Sequence, residues 1–128
     1  MRLFIDIETL VLWDGETKYD LNQPLIEAIK QSLRVEAEAL ILWSDKGKNY
    51  SRGWGRTIFP DIGHVPADKQ NFLNFAIKDD IVVDNKEIKL NGVKSLTPDK
   101  FIKHVELLNS EASLKNKKKD DEVVLTNE

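Results

Sequence analysis

Apolar and polar positions along the chain divide it into a few readable units. Residues 2–7, RLFIDI, are apolar on both faces apart from Arg2 and Asp6, the pattern of a strand in a parallel sheet covered on both sides. Residues 10–13 predict either a continuation of that strand or a flap strand before a turn at Asp14-Gly15. Asn22-Gln23-Pro24 marks a helix start, because proline in the first turn gives up an N–H that has no partner there. Leu25, Ile26, Ile29 and Leu33 then recur at helical spacing, which predicts a helix through about Val35. Residues 39–43, ALILW, form a second continuously apolar strand, ending at Ser44. Strand, helix, strand is a βαβ unit, and its strands should run parallel through a right-handed crossover.

Beyond Ser44 the pattern loosens. Residues 44–61, SDKGKNYSRGWGRTIFPD, predict a loop and then a short irregular helix over 50–57. Residues 60–69 read as loop, and 70–77 fit helix or strand equally. Ile81-Val82-Val83 is a third apolar strand, ending in Asp84. Asn91-Gly92 predicts a hairpin turn after a strand over 87–90. Thr97-Pro98-Asp99 starts a last helix with an N-cap, a first-turn proline and a first-turn acid; Phe101, Ile102, Val105 and Leu108 form its apolar stripe. From Ser110 the composition changes to blocks of opposite charge, KNKKKDDE, which predicts a flexible tail over 110–128. The expected architecture is a single three-layer α/β sandwich over residues 1–109 with a mainly parallel, Rossmann-like sheet.

Composition narrows the function classes. A chain of 128 residues suits one domain, and 41% hydrophobic with 32% charged residues describes an ordinary water-soluble one. The net charge of −3 speaks against a domain whose business is coating nucleic acid. Without cysteine there are no disulfides or thiolate metal sites, and two histidines far apart, His64 and His104, do not suit a His-rich zinc site. Any metal is therefore expected on oxygen ligands. No stretch approaches the roughly 18 apolar residues of a membrane span, and the N-terminus lacks the pattern of a secretory signal, so a cytoplasmic protein is expected.

The chemistry gathers at strand ends. The three apolar strands end in Asp6, with Glu8 just beyond, in Ser44 and in Asp84. Ligands of open α/β sheets bind outside the carboxyl ends of the strands, where strand order reverses. Burying an ionised carboxylate without partners costs several kcal/mol, on the order of what a domain can lose, so these acids need something to hold them. Carboxylates gathered at one sheet edge can share Mg²⁺, and without it their repulsion raises at least one pKa.

FIDIET, LILWS and IVVDN resemble the haloacid dehalogenase (HAD) superfamily pattern. That pattern is a strand carrying DxDx[TV], a helix, an apolar strand ending in Thr or Ser, then a lysine and a strand ending in an Asp pair. QPLIEAIKQSL and ALILWSDKG are similar to the helix and strand of small cap-less members, and the resemblance spans about residues 2–90. It implies a Mg²⁺-dependent phosphohydrolase acting on a small phosphorylated molecule such as a nucleotide. It also implies roles: Asp6 as the nucleophile that forms an aspartyl-phosphate, Glu8 as general acid and base, and Ser44 as a phosphoryl ligand. A lysine would neutralise transition-state charge, with Lys78 preferred over Lys69, and Asp84 would hold the metal together with Asp6 and the backbone carbonyl of Glu8. Two positions depart from the pattern: Glu8 is one methylene longer than the usual Asp, and Asn85 stands where many members carry a second Asp. Asp79 and Asp80 are spare carboxylates.

Asp45, Lys46, Arg52 and Trp54 complete the substrate-binding candidates. Arg52 and Arg56 suit phosphate, while Trp13, Tyr50 and Trp54 offer rings for stacking a base. Two other readings compete. One is a HAD-like protein that kept the crevice, lost turnover, and binds a phosphorylated ligand or a protein partner. The other follows DIET, which resembles the first motif of DnaQ-like 3′–5′ exonucleases, whose acids hold two metals. The later acids of that family find no match here, since His64 and Asp68 are separated by three residues rather than four.

Overall fold

The computed structural model describes residues 1–90 and 92–111. In chain order they form β1 (Arg2–Asp6), a single helical turn α1 (Ile7–Leu10), a hairpin of β2 (Val11–Asp14) and β3 (Lys18–Leu21), and α2 (Gln23–Val35). Then come β4 (Ala39–Ser44), α3 (Lys48–Ile58), β5 (Val65–Asp68), α4 (Lys69–Phe72) with a 3₁₀ turn (Leu73–Phe75), β6 (Ile81–Val83) and β7 (Lys94–Leu96). A last helix, α5, occupies residues 98–111. The central sheet has the order β5-β4-β1-β6-β7, and every pairing in it is parallel.

The sheet is buried on both faces, as the double-sided apolar strands require. Leu3, Ile5, Leu40, Leu42, Ile81 and Val83 pack on one side against Leu25 and Ile29 of α2, Ile58 of α3, and Phe101 and Val105 of α5. Phe4, Ile41, Trp43, Ala67 and Val82 point to the other side, where Phe72, Leu73, Ala76, Ile88, Leu90 and Val93 cover them. The period-2 alternation along each strand thus yields a three-layer α/β sandwich with a Rossmann-like sheet, the expected fold class. Helix α2 starts as anticipated: the Asn22 side chain accepts the Leu25 N–H at 3.3 Å, and the Asn22 N–H donates to the Leu10 carbonyl at 2.8 Å.

Strand order places the site. From β1 the chain steps outward to β4 and β5, then returns across β1 to β6 and β7. The reversal lies between β1 and β6, so the crevice at their carboxyl ends is the position where such sheets bind ligands. Asp6 is the last residue of β1, and Asp84 immediately follows β6.

Of the two alternatives for residues 10–13, the flap strand is the one found: Leu10 ends α1, and 11–13 belong to the β2–β3 hairpin, a separate two-stranded sheet that turns at Gly15. Three local expectations change. Residues 65–68, expected as loop, are strand β5, and Pro66 is tolerated because β5 is an edge strand. Residues 87–90 form no strand, and β7 runs parallel to β6, so the expected hairpin is absent although Gly92 does turn the chain at φ +72°. Ser110 and Glu111 continue α5, and the rest of the expected tail, 112–128, lies outside the described residues. Among the described residues no helix is long and apolar enough to cross a membrane.

Candidate functional site

One local device closes four strand ends. Asp6 Oδ1 accepts the Glu8 N–H at 2.8 Å, Ser44 Oγ the Lys46 N–H at 3.0 Å, Asp68 Oδ1 the Gln70 N–H at 3.0 Å, and Asp84 Oδ1 the Lys86 N–H at 3.2 Å. Each side chain caps the backbone two residues on, the habit that places Asp and Ser where a chain leaves a strand. Capping uses one oxygen of each carboxylate. The second oxygens of Asp6 and Asp84 both turn to Lys69, whose Nζ lies 2.7 Å from Asp6 Oδ2 and 2.5 Å from Asp84 Oδ2.

Lys69 reaches this position because β5 ends one residue before it. From the edge of the sheet its side chain crosses the end of β4 to the acids that follow β1 and β6. The three side chains are 6%, 12% and 13% exposed for Asp6, Asp84 and Lys69, so their charges interact with little screening by water. Burial pushes the Asp6 carboxyl above the ordinary carboxylate range; Lys69 and the Glu8 amide pull against it, and Asp84 adds to the rise. Burial alone would lower the Lys69 ammonium, but its hydrogen bonds to Asp6 and Asp84 hold it above the usual lysine value. Two carboxylates around one ammonium leave a net negative site.

Glu8 points elsewhere. Its Oε1 is buried without a hydrogen bond, 3.5 Å from Lys46 Nζ, and that ammonium stands 4.9 Å from the centre of the Tyr50 ring. The Glu8 charge, and after it Tyr50, raises the Lys46 pKa. Ser44 is fully buried one residue beyond Trp43, the residue paired with Asp6 across β1 and β4. Asp6, Asp84 and Lys69 are thus brought into contact, and Glu8, Lys46 and Tyr50 form an adjoining group tied to Asp6 through the Glu8 amide.

Other expected positions fall away from this centre. Lys78, the preferred site lysine, is exposed, and it precedes β6, which puts it toward the amino edge of the sheet rather than the carboxyl edge. Lys69 takes the place assigned to it. Asp79 is exposed. Asp80 belongs to the amino edge too, where the Arg2 guanidinium holds it at 2.7 Å and the amides of Arg2 and Ile77 donate to it at 2.9 Å. Burial by itself would raise Asp80, but Arg2 and those amides carry its pKa below the ordinary value. It is a clamp on the fold, not a metal ligand. Asp45 is exposed, Arg52 donates to Asn49 Oδ1 at 3.3 Å within α3, and Arg56 is exposed. Trp54 joins Trp13 and Tyr19 in a ring cluster. Against the exonuclease reading, both neighbours of β1 are parallel strands, and His64 is committed to the Ile62 carbonyl at 2.8 Å.

Among the described residues no group of three or more His, Cys, Asp or Glu is arranged to hold a metal. The donor set still suits Mg²⁺, which takes one or two carboxylates with water and substrate phosphate completing its shell. Asp6 and Asp84 would be its two carboxylates; their Oδ2 atoms both hold the Lys69 ammonium, so the ion would share them with that lysine. No family model, curated protein or solved structure matches the chain.

Proposed function

We propose that the protein is a HAD-like, Mg²⁺-dependent phosphomonoesterase that acts through an aspartyl-phosphate. The observation that carries this reading is the buried Asp6–Lys69–Asp84 group at the reversal of strand order. A carboxylate pair sharing one ammonium is a poor device for stability, since the second negative charge has no partner of its own. It is a good device for phosphoryl transfer, which needs a nucleophile, a cation site and a charge to stabilise the transition state.

In the proposed reaction an Asp6 carboxylate oxygen attacks phosphorus while the bond to the leaving oxygen breaks, and Glu8 as the carboxylic acid gives that oxygen its proton. Glu8 as carboxylate then takes a proton from water, whose oxygen attacks the aspartyl-phosphate, breaking the Asp6–phosphorus linkage and releasing inorganic phosphate. Lys69 neutralises charge on the transferring group, while Ser44, expected as a phosphoryl ligand, is fully buried and instead fixes the chain after β4 by accepting the Lys46 N–H. Mg²⁺ held by Asp6, Asp84 and the Glu8 carbonyl would add further charge neutralisation.

A second reading, ligand binding without turnover, is favoured by one observation: the longer acid Glu8 is drawn toward Lys46. Phosphate release from a panel of nucleoside monophosphates and sugar phosphates with Mg²⁺ separates the two. Wild type is expected to release phosphate, Asp6→Asn to release none, and Glu8→Gln to be slower by about 100- to 10,000-fold. Wild-type release no higher than the Asp6→Asn background overturns the enzyme, and calorimetric binding of the same ligands would then leave the binder.

A further inference from the structure

Beside the crevice, the β2–β3 hairpin and α3 bring large rings together. Trp13 and Tyr19 are paired across the hairpin with ring centroids 5.4 Å apart, and Trp54 meets them nearly edge-on at 6.2 and 5.0 Å. Trp13 and Tyr19 are 42% and 46% exposed, a large ring surface to leave in water. A cavity of about 420 Å³ adjoins them, lined by Tyr19, Asn49, Tyr50, Gly53, Trp54 and Thr57. It is a shallow depression largely open to solvent, and its walls combine aromatic faces with a few polar groups, the kinds of group that small-ligand sites use.

Tyr50, which lines the cavity, is connected to the crevice through a short chain of contacts. Lys46 stands over the Tyr50 ring on one side and 3.5 Å from Glu8 on the other, and the Glu8 amide is bonded to Asp6. We infer that the phosphate taken at Asp6 belongs to a nucleoside monophosphate whose base stacks on the Trp54 ring in this cavity, with the Tyr19 ring, which stands nearly perpendicular to Trp54, against its edge. Flat rings favour a flat, polar, π-faced group, which a nucleobase is and a sugar is not. The Asn49 side-chain amide, on the cavity wall, can serve the base's hydrogen-bonding edge. The hairpin carries Asp14, Glu16 and Asp20 against a single Lys18, which suits a free nucleotide better than a long polyanionic strand. This inference names the substrate class of the phosphohydrolase reading and rests on the same crevice.

The Asp6→Asn protein, which blocks turnover, is titrated with AMP, with ribose 5-phosphate and with a 5′-phosphorylated oligonucleotide while tryptophan fluorescence is followed. Trp43 is fully buried, so the signal reports Trp13 and Trp54. AMP is expected to bind more tightly than ribose 5-phosphate, by about 5- to 150-fold for one stacked base, and more tightly than the oligonucleotide. Trp54→Ala should erase the preference; Tyr19→Ala, on the exposed rim, should lower it without disturbing the core. Equal binding of AMP and ribose 5-phosphate, or a preference that survives both substitutions, overturns the base site, whatever the turnover assay gives. Tighter binding of the oligonucleotide overturns the free nucleotide. A base preference in a protein with no turnover keeps the base site and sinks only the phosphatase.

Discussion

Replacing Lys69 by methionine removes the positive charge shared by Asp6 and Asp84 while keeping most of the side-chain volume. Breaking a buried ion pair from one side costs about 3–5 kcal/mol, because the remaining charge loses its partner without regaining water. The lower end applies here, since Asp6 is already pushed toward its neutral form by burial and can escape by taking a proton. A loss of about 3 kcal/mol corresponds to a melting-point drop on the order of 10–15 °C for a chain of this length. The sign of the pH dependence follows from Asp6. Its folded pKa is raised, so its contribution is fully present below the ordinary carboxylate value near pH ~4 and is lost as pH rises through the folded value. Lys69 is one of the groups pulling that value down, so its removal extends the loss to higher pH. Urea unfolding at several pH values should show a deficit that is large at pH ~7 and shrinks on acidification toward pH ~4. Lys78→Met, at an exposed position, should stay within about 0.5 kcal/mol of wild type. A Lys69→Met protein within about 0.5 kcal/mol of wild type at pH ~7, or a deficit that does not shrink in acid, refutes the shared-lysine geometry.

Two further substitutions test parts of the fold away from the site. Asp80→Asn should cost about 2–4 kcal/mol at pH ~7, because the side chain is 4% exposed and tied to Arg2. Asp80 has a depressed folded pKa, so its stabilisation is present above the ordinary carboxylate value and disappears as pH falls through the folded one; urea unfolding of variant and wild type should converge in acid. Gly55→Ala places a Cβ on the His64 ring and 3.0 Å from Leu42 Cδ1, so thermal unfolding should show a loss of about 1–3 kcal/mol, partly recovered by adding His64→Ala.

The fold was legible wherever burial on both faces wrote itself as an unbroken apolar run. Residues 2–7, 39–43 and 81–83 read as apolar strands and correspond to the three central ones, β1, β4 and β6. The two edge strands were not legible. An edge strand buries less and pairs on one side only, so β5 can be four residues long with a proline in it, and β7 three residues long with a lysine and a serine. Neither carries enough apolar pattern to stand out from loop. The Asn91-Gly92 signal failed for a related reason: a turn dipeptide reports that the chain bends, not that strands flank it.

Missing β5 is what misassigned the lysine. The acids and Ser44 were found by one rule, a polar residue at the carboxyl end of an apolar strand, and Lys69 obeys it as the first residue after β5. Lys78, the preferred lysine, is close in sequence to the strand at 81–83, but it enters that strand rather than leaves it. Asp80 differs from Asp84 in the same way: four residues apart, both buried, one before β6 and one after it. Because all five strands are parallel, before and after are opposite edges of the molecule. Asp80 therefore meets Arg2 at the start of β1, while Asp84 meets Lys69, which also holds Asp6, at the other edge, where two carboxylates share one ammonium. The direction of the strand beside a buried acid, more than its distance in sequence from a motif, separates a structural clamp from a chemical group.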